Sequence, residues 1–324
     1  MKTIVVTGGA GFIGSHLIDS LLKNNYFVVN IDNFDDFYPK KFKSQNISNA
    51  KRNKNYNHYQ FDIRKTSSIK KIFEKYSPIY SFVHLAARAG VRPSIQKPLL
   101  YQKINIGGTY NLLNIAKNYE IRQLILASSS SVYGNSVTPF AEHNFNLFPL
   151  SPYGATKLAC EQICFTYHKL YKIPTTILRF FSVYGPRGRP DMAPYLFTQS
   201  LFNNEPIKQF GDGSASRDWT YIDDIVSGIK RAIERPCQYE IINLGNSHPI
   251  KLNKLLKTIE KITKKKFHKI YLSKRKEEPD ITFASIRKAK QLLDWEPKTE
   301  FTEGMKLFIK WFKANRLLSN KQNL

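Results

Sequence analysis

Tyr153 and Lys157, in the stretch "SPYGATK", stand one helical turn apart and are the pair in this chain best suited to move a proton. At i and i+4 their side chains share one face of a helix. A tyrosine in water, with a pKa of about 10, is a poor base at neutral pH. A lysine cation one turn away favours the phenolate, which can then take a proton from a substrate hydroxyl. Chance alone produces Tyr-x-x-x-Lys often, so the pair needs support from elsewhere in the chain. Part of it comes from "ASSSSVYG" (127–134), which directly follows the apolar run "LILA". Four serines usually mean a linker, but a linker is rarely entered from a run that reads as a buried strand. Open α/β sheets place their ligands at the C-terminal ends of strands. The expectation is therefore that Ser128, Ser129, Ser130 and Ser131 all line the site.

A second constellation lies at the start of the chain. "TGGAGFIGSH" (7–16) follows an apolar run and opens a helical pattern, with Gly8, Gly11 and Gly14 in a spacing that permits a tight turn and close helix–strand packing. The helix N-terminus then offers free N–H groups and a positive dipole end to a pyrophosphate. Asp32 closes the second apolar run, 18 residues past Gly14 (32 − 14). A carboxylate there can accept the ribose hydroxyls of NAD and repel a 2′-phosphate. Phe12, Ile13 and Asn33 belong to the same cradle, and Asp62 and Ile63, at the end of the third run, are placed for the adenine. Oxidised nicotinamide would add its own positive charge in favour of the Tyr153 phenolate.

The elements that must hold these residues follow from periodicity. Short β-branched runs ("TIVVTG", "FVVNID", "HYQFDI", "SFVHLAA", "LILASS") alternate with helical patterns over 11–24, 65–76, 94–118 and 152–171, and "PTTILRF" adds a sixth strand. Such alternation predicts an α/β fold, a Rossmann-type doubly wound parallel sheet with right-handed crossovers. Residues 1–182 read as the NAD-binding domain, with later returns near 219–245. Residues 183–324, looser and richer in proline and glycine loops, read mainly as a smaller C-terminal substrate lobe.

Composition narrows the classes. With 42% hydrophobic residues the chain can build a proper core. No apolar run approaches the roughly 18 residues of a membrane helix, and "MKTIVVTGGAG" lacks a signal-peptide pattern. Cys160, Cys164 and Cys237 show no paired spacing, which predicts a reduced, cytoplasmic protein without metal. Fifty Lys+Arg against 25 Asp+Glu give a net charge of +25. The lysines are spread through the chain, with clusters such as "KKIFEK" and "KITKKK" in amphipathic segments, and no recognition motif accompanies them. They read as solvated helix faces, with no specific nucleic-acid partner.

"TGGAGFIGSH", "HLAARAGVRPS" (84–94), "ASSSSVYG", "SPYGATK" and "FGDGSASRDWTYIDD" (210–224) together resemble the extended short-chain dehydrogenase/reductase family, also called the NAD-dependent epimerase/dehydratase family. The resemblance runs from about residue 3 to about residue 310. "HLAARAGVRPS", "RFFSVYGPRGRPDMA" (179–193) and "IDNFDDFYPKKFK" (31–43) make it closest to the UDP-glucuronate 4-epimerases. The resemblance implies a tightly bound, recycled NAD and a UDP-sugar that passes through a 4-keto intermediate. It implies Ser129, Tyr153 and Lys157 as the catalytic residues, and Ala86 as a further cofactor contact. Substrate contacts are implied at Arg88, Ser129, Ser130, Ser131, Ser182, Arg189, Arg217 and Arg275; at Arg275 the family's Gly-Asp two residues on is replaced by Glu277-Glu278. It also implies a homodimer in which helices 94–118 and 152–171 of each chain form a four-helix bundle.

The serine row bears on the reaction as well. Related dehydratases carry an Asp-Glu pair after the Ser/Thr, and related decarboxylases a Glu before Val-Tyr-Gly. Ser130 and Ser131 fill those places here, and a hydroxyl cannot do the work of a carboxylate at neutral pH. A dehydratase is disfavoured on this ground, and a UDP-glucuronate decarboxylase less strongly so. A 4-epimerase of UDP-glucose or UDP-N-acetylglucosamine remains open beside one of UDP-glucuronate.

Overall fold

The alternating runs fold into a doubly wound sheet in the computed structural model, which describes residues 1–274 and 279–317. The first half supplies β1 (Thr3–Thr7), β2 (Phe27–Ile31), β3 (Tyr56–Tyr59), β4 (Ser81–His84), β5 (Leu124–Ser129) and β6 (Thr175–Phe180). The second half supplies β7 (Ser182–Tyr184), β8 (Ile207–Phe210), β9 (Ser216–Tyr221), β10 (Tyr239–Leu244), β11 (Pro249–Lys251) and β12 (Lys269–Leu272). The main sheet has seven strands in the order β10-β6-β5-β4-β1-β2-β3, every pair parallel. Chain order reverses between β1 and β4, which opens a crevice at the C-terminal ends of the strands. Both faces are covered: Ile4 and Val6 of β1 enter one core and Val5 enters the other. That is why the strands read as continuous apolar runs instead of alternating ones.

Two boundaries differ from the sequence expectation. The third strand occupies 56–59 instead of 58–63, because the Asp62 side chain accepts the Arg64 backbone N–H at 2.9 Å and turns the chain. The long helix expected over 94–118 is broken into Val91–Gln96, Pro98–Tyr101, a π turn at Gln102–Ile106, and Gly107–Ala116. Pro98 has no N–H to give and holds Lys97 out of helical geometry (φ −134°, ψ 54°). By contrast, the helix Pro152–Tyr171 runs unbroken.

Beyond β6 the chain builds two small sheets, β11-β9-β7 and β12-β8, then returns as β10 to the edge of the main sheet. Asp218 of β9, fully buried, holds the turn before β11 and the segment after β12 to its strand by accepting the backbone N–H groups of Asn246, Ser247 and Ala284 at 2.6–2.9 Å. Burial raises the pKa of its carboxyl, and these donors oppose the rise.

Candidate active site

The glycine loop is held from all sides. Asn30 accepts the Gly9 N–H at 3.0 Å, Asp32 accepts those of Ala10 and Phe34 at 2.9 Å each, and Asn46 donates to the Ala10 carbonyl at 3.0 Å. The Phe12–Lys23 helix starts at Gly11 with no side-chain cap and no acidic residue in its first turn. A Cβ on Gly14 would stand 2.3 Å from the Gly8 carbonyl oxygen, so only glycine lets this helix close onto the strand. An uncapped helix N-terminus behind a glycine turn, with a carboxylate at the neighbouring strand end, fits the pyrophosphate and ribose of NAD. The Phe12 ring is buried in the core, which leaves its backbone to face a ligand, while Ile13 is half-buried. Ala86 lies across the loop, its N–H donating to Thr7 Oγ1 at 3.3 Å.

Asp62 stands three residues past the end of β3. Arg64 grips its carboxylate at 2.9 and 2.8 Å, and Asn33 donates to it at 3.1 Å. Those hydrogen bonds, Arg64 first, hold the carboxyl below its ordinary pKa against the opposing effect of partial burial. Ile63 is buried against Gly108.

Tyr153 and Lys157 sit in the first turns of the Pro152–Tyr171 helix. Ser151 caps that helix by accepting the Gly154 N–H at 3.2 Å, and Ser94 accepts the Tyr153 N–H at 3.1 Å. The Tyr153 ring is half-buried, edge-on to Tyr101 at 6.4 Å. Lys157 is buried and donates to the Ala127 carbonyl at 2.7 Å, which fixes its ammonium beside the end of β5. Gly154 lets the serine turn approach: a Cβ there would be 2.6 Å from the Ser131 carbonyl oxygen. Ser129 accepts the Ser131 N–H at 3.1 Å and its hydroxyl meets that of Ser131 at 3.2 Å, while Ser130 and Ser131 begin a short 3₁₀ turn, half-buried.

The expectation that all four serines line the site fails at Ser128. Successive side chains on a strand face opposite ways, and Ser128 donates to Glu161 at 2.5 Å. Glu161 is fully buried and pairs with Arg179 of β6 through two bonds of 2.9 and 2.7 Å. This pair bolts the helix that carries Tyr153 to two strands. Sequence reasoning missed it because its members lie 18 residues apart in different elements. Ser94 and Asn105 were missed for the same reason. Asn105 accepts the Arg88 N–H at 2.8 Å and donates to the Arg88 carbonyl at 3.1 Å and to Thr156 at 3.0 Å.

His84, at the end of β4, is buried between Thr7 (2.8 Å from Nδ1) and Thr109 (3.0 Å from Nε2). Thr109 gives its own proton to the Asn105 carbonyl at 2.6 Å, so His84 carries its hydrogen on Nε2 and is neutral. Burial, helped by the Lys157 charge, lowers its pKa to about 3.

The other residues expected at the substrate are spread along the chain. Ser182 is half-buried on β7, in register with Trp219. Arg189 pairs with Asp191 at 2.9 and 2.6 Å. Burial pulls the Arg189 pKa down, but the Asp191 carboxylate and the nearby phenols of Tyr153 and Tyr38 outweigh it and raise the value. Arg217 on β9 donates to the Ser216 carbonyl at 3.0 Å. Arg88 is engaged by carboxylates already: its Nη1 reaches both oxygens of Asp35 at 2.8 Å and Asp36 at 3.2 Å. Arg275 lies outside the described residues.

The doubly wound sheet, the glycine loop with its strand-end acid, and the Tyr153–Lys157 pair beside a serine turn define a dinucleotide-dependent enzyme of the extended short-chain dehydrogenase/reductase class. Residues 5–308 match the model of the GDP-mannose 4,6 dehydratase family, and the chain belongs to that NAD-dependent epimerase/dehydratase family. It is 44% identical over 316 residues to the UDP-glucuronate 4-epimerase of Thermodesulfobacterium geofontis, covering 97% of each chain. The UDP-glucuronic acid 4-epimerase of Bacillus cereus, solved with UDP-glucuronic acid and NAD, superposes with a TM-score of 0.92 at 39% identity, covering 96% of this chain and 99% of that one. The UDP-glucose 4-epimerase of Thermotoga maritima, solved with UDP-glucose, gives 0.89 at 33% identity, with the same coverage.

Proposed function

We infer that this chain is an NAD-dependent isomerase that interconverts UDP-glucuronate and UDP-galacturonate by epimerisation at C4. The observation that carries the reading is the Ser129–Ser131 turn, free of carboxylates, held against Tyr153 and Lys157 in a chain 44% identical to a UDP-glucuronate 4-epimerase.

NAD, when bound, supplies the hydride acceptor that oxidises C4 and returns hydride to the other face of the 4-keto sugar. The chain's own residues supply the rest. Tyr153 Oη takes the O4 proton as C4 is oxidised and returns it at the end, and the Ser129 hydroxyl holds O4 beside it. The Lys157 ammonium, anchored at the Ala127 carbonyl, keeps positive charge under the phenol and the nicotinamide ribose. Gly8, Gly11, Phe12, Ile13, Gly14, Asp32, Asn33, Asp62, Ile63 and Ala86 form the cofactor cradle. Ser130, Ser131 and Ser182 hold the sugar carboxylate through neutral donors, so no negative charge is added beside a 4-keto acid prone to lose CO₂. Arg189 assists at the carboxylate, and Arg217 and Arg275 meet the UDP pyrophosphate.

The reading extends to a homodimer through a four-helix bundle. Leu99, Tyr110, Leu170 and Tyr171 support it: they are 44–68% exposed on the outer sides of the elements expected to pair. It extends also to a reducing cytoplasm, supported by three free cysteines. No helix among the described residues is long and apolar enough to cross a membrane.

The test is to incubate purified protein separately with UDP-glucuronate, UDP-glucose and UDP-N-acetylglucosamine and follow products by NMR. UDP-galacturonate without added cofactor is expected. Faster turnover of a neutral sugar would move the chain to the neutral-sugar epimerases, and a UDP-pentose product would make it a decarboxylase.

A further inference from the structure

We propose that Arg88 is a positioning residue that latches the loop after β2 across the cofactor cleft and wires it to the helix carrying Tyr153. Its backbone belongs to the catalytic side. The Arg88 N–H and carbonyl are both held by Asn105, which also bonds Thr156, and Thr156 donates to the Tyr153 carbonyl at 2.8 Å. Its guanidinium belongs to the cofactor side, 53 residues back in the chain, where it grips Asp35 and Asp36. Asp35 follows Asp32, the expected ribose contact, and Asn33 of the same cradle, and the loop is pinned again where Lys43 donates to the Asp35 carbonyl at 2.6 Å.

The next residues of the same loop extend the latch. Two guanidiniums, those of Arg88 and Arg189, each lie 5.5 Å from the centroid of the Phe37 ring. Tyr38 brings its hydroxyl over the glycine loop, 4.0 Å from where a Cβ on Gly11 would stand. Farther along, Arg316 from the C-terminal end donates to Gln45 at 3.0 Å and stacks on Phe42 at 3.6 Å. The loop is thus a strap lying on the glycine turn, fixed at its far end by Arg316 and at its near end by Arg88. The near end is tied to the catalytic helix through Asn105 and Thr156. With Arg88 and Asp35 at 13% and 28% exposure, the pair is shielded enough for its geometry to matter. Arg88 therefore acts on the cofactor through the strap, and its contact with the substrate is indirect.

The proposal rests on the site being a dinucleotide site and is independent of which sugar is epimerised, so it is tested without a sugar. Wild type, Arg88→Ala, Asp35→Asn and Arg88→Lys are purified, their NAD content is measured after denaturation, and NAD affinity of the stripped proteins is measured by calorimetry. Arg88→Ala and Asp35→Asn are expected to lose most of their copurified NAD and to bind it about tenfold more weakly, a usual size for coupling between two parts of a site. Arg88→Lys should recover part of the loss. With NAD saturating, Asp35→Asn should regain near-normal kcat with little change in the UDP-sugar KM. Wild-type NAD content in Arg88→Ala, or a KM for UDP-glucuronate raised tenfold at saturating NAD, would overturn the latch and return Arg88 to the substrate. Failure of the epimerase assay with normal strap behaviour would count against the function above and leave the latch standing.

Discussion

At the scale of single residues, each role is set by what the neighbours leave a side chain to do. Tyr153 has its backbone N–H satisfied by Ser94 and its ring half-buried against Tyr101, so the phenol is the part left for chemistry. Tyr153→Phe is expected to keep NAD and lower kcat by roughly 10²–10⁴-fold, the usual worth of a positioned acid–base. Retention of most activity in that variant would refute the assignment. Ser182→Ala is expected to lower kcat/KM for UDP-glucuronate by about tenfold and to affect UDP-glucose less, since one hydrogen bond to a charged group contributes roughly 1.5–3 kcal/mol. Equal losses on both sugars would leave Ser182 without a part in carboxylate recognition.

Among the elements, the Pro152–Tyr171 helix matters most, because it carries the proposed catalytic pair at its start and an ion pair at its middle. Glu161 and Arg179 are almost wholly excluded from water, and Ser128 completes the cluster. Removing one partner strands the other's charge, so Glu161→Gln is expected to cost about 3–5 kcal/mol of stability in denaturant unfolding. Ser128→Ala removes one hydrogen bond and is expected to cost less, about 1–3 kcal/mol, with kcat little changed. If Ser128→Ala abolished turnover while remaining folded, Ser128 would belong to the active site after all.

For the whole molecule, two histidines held largely away from water, His84 buried and His16 partly so, make stability depend on pH. Burial lowers the pKa of His84 to about 3, and burial with the Arg187 charge lowers that of His16 to about 4, from an ordinary 6.5. Below 6.5 the unfolded chain binds protons that the folded chain refuses, so the unfolded state gains as pH falls. The contribution is complete above about pH 6.5 and is lost between there and about pH 3. Urea midpoints should be flat from pH 7 to 8 and fall steadily from pH 6 to 4, and His84→Asn, if folded, should show a shallower fall. A midpoint independent of pH over 4–6 would contradict the two neutral histidines. Light scattering should give a dimer at micromolar concentration, and an active monomer there would remove the bundle.

Much of the candidate site is local in the chain and was therefore legible in it. Gly8 to Gly14, the pair Tyr153 and Lys157, and the serines after β5 each work through short-range geometry: a turn, a helical repeat, a strand end. The order of apolar runs and helical repeats likewise determined the doubly wound sheet, because parallel strands need crossovers of that length. What lay hidden is contact between distant segments. The direction of Ser128 depended on where Glu161 and Arg179 would stand, the capping of Tyr153 on a serine 59 residues earlier, and the state of Arg88 on carboxylates in another loop. A serine or an arginine carries the same donors wherever it is; which acceptor it meets is decided when the chain closes, and only the tertiary structure records that choice.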